Sequence, residues 1–283
     1  MNRRRLVRVP ASSANLGPGF DVLAAALSLF VEVEVVETGY FSVETDLKIA
    51  RDRRNLCVRG FSKLHPPDRF SFRIRSEVPL AGGLGTSAAA YVAGLLAADS
   101  MFELDADVLA LGTELEGHPD NVAAALRGGF VVCAGGTVER LPVPAGLEAI
   151  LVVPHEAVRT KQARAALPQA VPMADAAFNV GHAAMLVLGL ARDDFSLIGR
   201  GLADRLHQPH RAHLYPRSAQ LVADAESLGA LGATVSGAGP SVLVWTHYTA
   251  TGSVHARLVE RAEGWADVLR VPFEEQGADV REL

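Results

Sequence analysis

The sequence predicts an α+β fold built from two domains, and three observations lead to that prediction. The first half of the 283-residue chain alternates strand-like and helix-like apolar patterns. Its strands alternate apolar with polar residues, as expected for a sheet with one face in water. The second half reads as a strand, helices and a further pair of strands, which is typical of an α+β unit. A proline-rich stretch at 141–146 separates the halves, so we expect domains at 1–145 and 146–283.

The first half should contain four strands and three helices in a mixed order. The residue patterns predict strands at 6–9, 31–36, 70–74 and 130–133, and helices at 87–98, 105–115 and 122–126. The first of these helices is apolar on nearly every side, so we expect it to be buried, with Gly94 allowing a neighbour to approach closely. The helix at 122–126 should stop at Gly128 and Gly129.

The second half should start with a strand and end with one. The patterns predict strands at 149–153, 233–235, 242–245 and 270–273, and helices at 178–190, 218–228 and 258–269. A glycine-rich turn joins the strands at 233–235 and 242–245.

Composition limits the classes of function. An apolar content of 49% and a net charge of −5 describe a soluble globular enzyme, so nucleic acid is not an expected partner. The basic start at 3–5 is followed by VPASSAN at 9–15, where a signal peptide would have its hydrophobic region, and no apolar run of about 18 residues is evident. We expect no membrane partner.

With two cysteines at unpaired spacing, a disulfide framework and a cysteine zinc site are unexpected, and a cytoplasmic location is the simplest.

The most informative stretch is a glycine-rich turn, PLAGGLGTSAAA at 79–90, that runs directly into a helix. Gly82, Gly83 and Gly85 let backbone N–H groups approach a ligand, and the helix aims its positive end at the same place. Thr86 and Ser87 add hydroxyls that could cap the helix or reach a phosphate-bound Mg²⁺. The stretch therefore predicts a phosphate site for a nucleoside triphosphate.

Other glycine loops fit this stretch less well. A P-loop needs a lysine, and none lies between Lys63 and Lys161. Residues 83–88 do satisfy the dinucleotide pattern G-x-G-x-x-A, with Glu103 at about the right distance. However, the strand before them has one polar face, and Glu103 follows a helix rather than a second strand. An ordinary tight turn is the remaining alternative.

Three motifs in order identify a family resemblance. The stretches VPASSANLGPGFD at 9–21, PLAGGLGTSAAA at 79–90 and GATVSGAGPS at 232–241 resemble those of the GHMP kinase superfamily. The form of the first motif, together with GHPDNV at 117–122, TKQAR at 160–164 and PHRA at 209–212, is similar to the homoserine kinase branch. Gln208 and His213 depart from the usual residues of that branch, and Thr86 stands where serine is usual.

The resemblance implies the fold, the reaction and the cofactors. It implies an N-terminal domain like ribosomal protein S5, a ferredoxin-like C-terminal domain and a ligand cleft between them. It implies transfer of the γ-phosphate of ATP, with Mg²⁺, to the side-chain hydroxyl of L-homoserine, a step of threonine biosynthesis. It also implies that two copies can pair as a homodimer. The expected nucleotide-binding residues are Pro79, Leu80, Ala81, Gly82, Gly83, Leu84, Gly85, Thr86, Ser87, Ala88 and Ala89.

Magnesium should be held by few protein ligands, since this cation takes most of its ligands from phosphates and water. We expect Ser87 and Glu114 to bind it, with Glu116 as the close rival. Either glutamate could instead be an ordinary surface charge.

A free amino acid needs partners for both its carboxylate and its ammonium group. Arg164 and Arg211 are the expected carboxylate clamp, because a guanidinium group binds a carboxylate through two parallel hydrogen bonds. The resemblance places five further residues around the amino acid: Asn15, Asp21, His118, Asp120 and Gly237. Each also has a structural interpretation: Asn15 could hold the turn at 17–19, Asp120 could cap a helix, and His118 could be a satisfied structural histidine.

The catalytic residues are expected to be Asn121, Thr160 and Arg164. An amide cannot take a proton at neutral pH, so we expect Asn121 and Thr160 to orient the hydroxyl while Mg²⁺ and Arg164 stabilise the leaving charge. The proton would pass to phosphate or solvent. Asp21 as a general base is the alternative.

Two other functions stay open at this stage. One is a related kinase that acts on mevalonate, shikimate or a sugar; the two arginines argue against a neutral sugar. The other is a sensor that binds nucleotide or amino acid without catalysis.

Overall fold

The computed structural model describes residues 3–79 and 82–283; Leu80 and Ala81 of the predicted nucleotide loop lie outside the described residues. The described strands are β1 (Arg4–Ala14), β2 (Leu23–Glu37), β3 (Ser42–Glu44), β4 (Phe70–Ser76), β5 (Phe130–Ala134), β6 (Thr137–Leu141), β7 (Leu147–Pro154), β8 (Gly232–Val235), β9 (Val242–His247), β10 (Ala266–Arg270) and β11 (Asp279–Glu282). The described α-helices are α1 (Leu56–Ser62), α2 (Thr86–Phe102), α3 (Val108–Glu116), α4 (Asp120–Arg127), α5 (Thr160–Ala165), α6 (Met173–Ala191), α7 (Phe195–Gly201), α8 (Gln208–Arg211), α9 (Pro216–Asp224) and α10 (Tyr248–Ala262).

A seven-stranded sheet forms the frame of the first half. Its main order is β11-β1-β2-β4-β3, and β2 also pairs with β5, which pairs with β6. All pairs are antiparallel except β3 with β4. Buried and more exposed residues alternate along β4, which confirms a sheet with one polar face. The observed mixture of sheets and helices confirms the predicted α+β fold.

A second, four-stranded antiparallel sheet, ordered β10-β7-β9-β8, belongs to the second half. The last strand, β11, leaves this half and pairs with β1 of the first sheet, from Arg5 opposite Glu282 to Arg8 opposite Asp279. The two halves of the chain are therefore tied together at the C-terminus. The boundary between residues 145 and 146 stays a prediction.

Helix α2 lies at the centre of the first half, as its all-round apolar pattern predicted. Ten of its residues are buried, and a Cβ added at Gly94 would lie 1.9 Å from the carbonyl oxygen of Cys57 in α1. Only glycine permits this approach, because any side chain would overlap backbone atoms. The helix is thus fixed in place, and its N-terminus is held at the glycine-rich turn.

Two predicted elements are wrong, the helix at 258–269 and the strand at 270–273. The helix expected at 258–269 begins ten residues earlier, at Tyr248, and ends at Ala262, and residues 266–270 form β10 rather than helix. Gly264 follows the helix with φ of +77°, a conformation that stops a helix. The helix start was missed because Tyr248 is followed by the small residues 249–253, which have little apolar periodicity. Residues 271–273 lie outside the strands apart from a single bridge between Phe273 and Leu27.

Helix α6 is long and apolar enough to cross a membrane by length and composition, although the sequence was expected to hold no apolar run of about 18 residues. One such helix is weak support for a membrane span. Its buried Asn179 binds the rest of the protein: the side-chain amide donates to the Pro18 carbonyl and to Asp204, at 3.1 and 2.7 Å, and its oxygen accepts from the Arg205 N–H. These bonds attach α6 to the turn that follows β1 and to the loop between α7 and α8.

Candidate active site

A cavity of about 500 Å³ opens where loops from both halves of the chain meet. It is lined by the turn after β1, the glycine-rich turn, the loop between α3 and α4, α5, α8 and the loop between β8 and β9. The predicted site residues that line it are Asn15, Asp21, Gly82, Gly83, Leu84, Gly85, Thr86, Ser87, His118, Asp120, Asn121, Thr160, Arg164, Arg211 and Gly237. The motifs are therefore parts of one site.

The three glycine-containing motifs interlock through short contacts. The Ser12 N–H donates to the Leu84 carbonyl at 3.1 Å, and the Ser236 hydroxyl lies 2.8 Å from the Gly83 carbonyl, to which it donates. A Cβ added at Gly83 would lie 2.3 Å from the Ser236 carbonyl, and one at Gly85 would lie 2.1 Å from Ser12 Oγ. Both glycines also have positive φ. Glycine is therefore required at these two positions on steric and conformational grounds.

The start of α2 has the features of an anion site. Gly85 is the N-cap, with φ of +64°, and no side chain caps the helix. The first N–H groups of α2 are thus left for a ligand at the positive end of the helix dipole. The prediction for Ala89 is wrong, because its side chain is fully buried and its N–H donates to the Gly85 carbonyl. Ala88 is also buried and can offer only its backbone N–H.

A hydroxyl and a carboxylate meet beside this helix start. Ser87 Oγ donates to Glu116 Oε1 at 2.5 Å. Burial raises the pKa of Glu116, while the Ser87 hydrogen bond and His118 act in the opposite direction. Glu114, the residue predicted for magnesium, lies elsewhere: it pairs with Lys63 at 2.7 Å, its side chain is 63% exposed, and it does not line the cavity. Of the two candidate glutamates, only Glu116 lies beside Ser87 on the cavity wall, because the two are two residues apart and point in different directions on α3.

The donor set at Ser87 and Glu116 fits magnesium. Both offer oxygen atoms, which this hard cation prefers, and they lie next to the predicted phosphate site. Within 3–79 and 82–283, no group of three or more His, Cys, Asp or Glu side chains is suited to hold a metal. A small oxygen donor set beside phosphates is the usual form of an Mg²⁺–nucleotide site.

Asp21 and Arg164 form an ion pair on the cavity wall. Two parallel hydrogen bonds, of 2.8 and 3.1 Å, join the guanidinium nitrogens Nη2 and Nη1 to the two carboxylate oxygens. The Arg164 guanidinium also lies 5.7 Å from the ring centre of Phe20. Asp21 has φ of +54°, and its N–H donates to Asn15 Oδ1 at 3.0 Å, so the backbone that presents the carboxylate is fixed.

Arg211 is almost fully buried and is oriented by three acceptors. Its Nε donates to the Ala163 carbonyl at 3.0 Å, and Nη1 lies 3.2 Å from His207 Nδ1 and 3.3 Å from the Gly237 carbonyl. Because the guanidinium group can only donate, His207 Nδ1 accepts from Arg211 and carries no proton, so this histidine is neutral and its Nε2 donates to the Gly17 carbonyl at 2.8 Å. Burial lowers the pKa of His207, in agreement with that assignment. Among the described residues, Nη2 of Arg211 has no hydrogen-bond partner.

The hydrogen bonds of Asn15 and Gly237 join separate segments of the protein. The Asn15 amide nitrogen donates to the Gly237 carbonyl at 2.8 Å while its oxygen accepts from the Asp21 N–H. The amide thus links the first motif to the third, in line with the structural interpretation of Asn15.

The loop before α4 places three polar side chains on the wall. Asp120 is buried in the first turn of α4, accepts from the Asn121 N–H at 2.7 Å, and has a pKa raised by burial. His118 Nδ1 is buried without a hydrogen-bond partner among the described residues, 3.9 Å from Asp120 Oδ1. Asn121 Oδ1 accepts from Ser12 Oγ at 2.8 Å, which leaves its amide N–H groups for a ligand. Thr160, the first residue of α5, is exposed at the cavity rim.

Comparison with known proteins identifies the family. The models of the GHMP kinases N terminal domain and of the GHMP kinases C terminal region match residues 53–129 and 186–262. A homoserine kinase of Moorella thermoacetica is 40% identical, over 85% of this chain and 86% of its own length. The chain belongs to the homoserine kinase family of GHMP kinases. A second homoserine kinase, from Streptomyces avermitilis, is 39% identical over 98% of this chain and 95% of its own.

The fold agrees with this family over its whole length. A crystal structure of homoserine kinase from Cytophaga hutchinsonii matches with a TM-score of 0.88 and 32% identity, over 99% of this chain and 98% of the other. The two-domain GHMP kinase architecture predicted from the sequence is confirmed.

Sequence reasoning missed one end of the cavity of this GHMP kinase. Beyond the glycine-rich turn the wall is mostly apolar: it contains the polar residues Arg54, Asn55 and Ser76 and the apolar residues Val31, Leu47, Ile49, Ala50, Leu56, Cys57, Ile74 and Ala90. These residues come from separate strands, a loop and two helices, so no local motif could reveal them. Burial raises the pKa of the Cys57 thiol to about 12, so this wall carries no reactive thiolate. Phe20 and His207 were also missed, although Phe20 lies within the first motif and His207 lies two residues before PHRA at 209–212.

Proposed function

We propose that this protein is a homoserine kinase, which transfers the γ-phosphate of ATP to the side-chain hydroxyl of L-homoserine and forms O-phospho-L-homoserine. The observation that carries the proposal is the joining of two kinds of site in one cavity. One end has an uncapped helix start and a glycine-rich turn, suited to phosphate. The other has carboxylates and guanidinium groups, suited to a zwitterionic amino acid.

ATP would bind with its phosphates against residues 82–88 and its base in the apolar end of the cavity. The free N–H groups at the start of α2 point to the phosphate position, and the helix dipole favours negative charge there. The wall that includes Leu47, Ile49 and Leu56 offers the apolar surface that a planar base needs.

Ser87 and Glu116 would hold Mg²⁺. Bound there, the cation would neutralise charge on the phosphates during transfer. The raised pKa of Glu116 reflects a carboxylate whose charge is poorly solvated in the free protein, and a cation would relieve that penalty.

The amino acid would bind between Asp21, Arg164 and Arg211. Arg211 presents its unpartnered Nη2 from a fixed position, since its other nitrogens are held by three acceptors. Arg164 lies on α5, a short and exposed helix, and can bind the carboxylate together with Arg211. Asp21 and the buried Asp120 supply negative charge for the ammonium group, and His118 lies beside them.

Transfer then depends on orientation rather than on a strong base. The free amide N–H groups of Asn121 can hold the substrate hydroxyl oxygen, and Thr160 can contact it from the rim. With substrate bound, Asp21 would hold the ammonium group, so it is a poor general base for the hydroxyl. The proton therefore passes to phosphate or solvent, and Arg164 stabilises the developing charge. If Asn121→Ala kept full turnover at saturating substrates, this role of Asn121 would be withdrawn.

A cytoplasmic location and a homodimer are further parts of the proposal. The exposed apolar side chains of α6, with Met173 83% and Val180 72% exposed, are where we would look for the contact between copies. Light scattering on the wild-type protein and on Val180→Lys tests the dimer.

The reaction is tested by coupled ADP release with ATP, Mg²⁺ and L-homoserine, beside mevalonate, shikimate, L-serine and galactose. ADP formed rapidly with L-homoserine alone is the expected result. ADP formed faster with mevalonate, shikimate or galactose would assign a different GHMP kinase. ATP binding without turnover of any acceptor would favour a sensor.

A further inference from the structure

The ion pair between Asp21 and Arg164 occupies the groups that the amino acid would use. Both nitrogens of the guanidinium fork are bonded to Asp21, and both carboxylate oxygens are bonded to Arg164. In the free protein each group therefore satisfies the charge of the other. A ligand that takes the same two nitrogens of Arg164, or both oxygens of Asp21, has to separate them.

The pair is exposed enough to open. The side chains of Asp21 and Arg164 are 34% and 37% exposed, so water partly solvates each charge and the pair is weaker than a buried one. Arg164 belongs to the short helix α5, whereas Asp21 is fixed by the Asn15 bond and a positive φ. Opening therefore moves Arg164 rather than Asp21.

The neighbouring charges make it unfavourable for a ligand to replace only one partner of the ion pair. Burial raises the pKa of Asp120 and the charge of Asp21 adds to this shift; burial lowers the pKa of Arg211 and the charge of Arg164 adds to that shift. A ligand with only a carboxylate would take Arg164 and leave Asp21 beside a second carboxylate. A ligand with only an ammonium group would take Asp21 and leave Arg164 beside a second guanidinium. A zwitterion replaces both partners.

We propose that the Asp21–Arg164 ion pair is a specificity device that admits zwitterionic amino acids and rejects alcohols that carry only one of the two charges. The proposal rests on the proposed function and adds the reason for its selectivity. The proposal can be distinguished from the hypothesis that Asp21 and Arg164 only contact the ligand. If the ion pair matters, removing the Asp21 carboxylate must improve the binding of an anionic ligand, because Arg164 no longer has to be released.

The test is equilibrium binding by calorimetry, without ATP, on the wild type and Asp21→Asn. Asparagine tolerates the positive φ at this position, so the backbone should be kept. The ligands are L-homoserine, 4-hydroxybutyrate, which lacks the ammonium group, and 3-aminopropan-1-ol, which lacks the carboxylate. In Asp21→Asn, L-homoserine should bind at least about tenfold more weakly, since a charged hydrogen bond is lost. 4-Hydroxybutyrate should bind about two- to fivefold more tightly, because the free energy of a partly exposed ion pair no longer opposes the release of Arg164.

A reciprocal variant and a control complete the experiment. Arg164→Gln releases Asp21, so 3-aminopropan-1-ol should bind more tightly while L-homoserine binds more weakly; this variant also decides the matter if Asp21→Asn does not fold. Asp175→Asn removes the exposed Asp175–Arg205 pair outside the cavity and should change none of the three affinities. Unchanged or weaker binding of 4-hydroxybutyrate to folded Asp21→Asn would overturn the specificity role but keep the proposed function. Failure of the wild type to bind L-homoserine would overturn both.

Discussion

Glu116 and Glu114 form a matched pair for testing the magnesium site, since the same chemical change can be made at both. Glu116→Gln removes the carboxylate that accepts from Ser87 at 2.5 Å on the cavity wall. Loss of one electrostatic stabiliser typically lowers kcat by about 10²- to 10³-fold, and we expect at least 100-fold here in kcat/KM for ATP. Glu114→Gln removes only an exposed pair with Lys63 and should change kcat/KM less than about twofold.

Stability separates this effect from a folding defect. Glu116→Gln weakens a hydrogen bond to a charged group, worth about 1.5–3 kcal/mol, but also removes a poorly solvated carboxylate, so the two changes offset. The net change should stay within about 1 kcal/mol, or about 2–4 °C in Tm. Kinetics over a range of Mg²⁺ concentrations and thermal denaturation give both quantities. Equal loss of activity in the two variants, or near wild-type activity in Glu116→Gln, would refute the assignment.

Three further predictions concern the cavity wall. Gly85→Ala places a Cβ 2.1 Å from Ser12 Oγ at φ of +64°, so it should lose about 1–2 kcal/mol of stability from backbone strain alone and raise KM for ATP, as melting curves and kinetics would measure. His207→Gln should weaken L-homoserine binding through Arg211, measured by calorimetry. Because burial lowers the pKa of His207, the unfolded state binds more protons below the ordinary value of 6.5, and stability falls as the pH drops below it. Melting curves from pH 5 to 8 should show this slope in the wild type and less of it in the variant. For Asp120 burial raises the pKa, so the folded state loses stability as the pH rises above the ordinary 3.8; Asp120→Asn should melt higher at pH 7 and lose that advantage near pH 4.

Local patterns were enough to predict most elements near the site. The apolar alternation of β4, the all-round apolar α2 and the glycine-rich turn before it are short-range signals, and the structure has all three. The helix at 258–269 was wrong because the real helix begins among small polar residues without periodicity. Likewise, no local pattern indicates that β11 pairs with β1. The two strands lie at opposite ends of the sequence, so their pairing depends on the tertiary fold.

The site residues that lie within motifs could be predicted from the sequence. Features of the site that depend on contacts between distant segments could not. The motifs located Ser87, Asp21, Arg164 and Arg211 in one cavity. The choice between the two glutamates depends on which side of α3 faces the cavity, and the sequence leaves this open. Pairing of Asp21 with Arg164 likewise brings together residues 143 positions apart.

The central claim is that one cavity joins a triphosphate site to an amino-acid site for direct phosphoryl transfer. The most direct test follows the protein with ATP, Mg²⁺ and L-homoserine by ³¹P NMR. We predict one phosphomonoester signal, coupled to a CH₂ group, that grows in step with ADP, and mass spectrometry should identify it as O-phospho-L-homoserine. ADP that appears with inorganic phosphate only, or no ADP despite bound ATP and L-homoserine, would contradict the account.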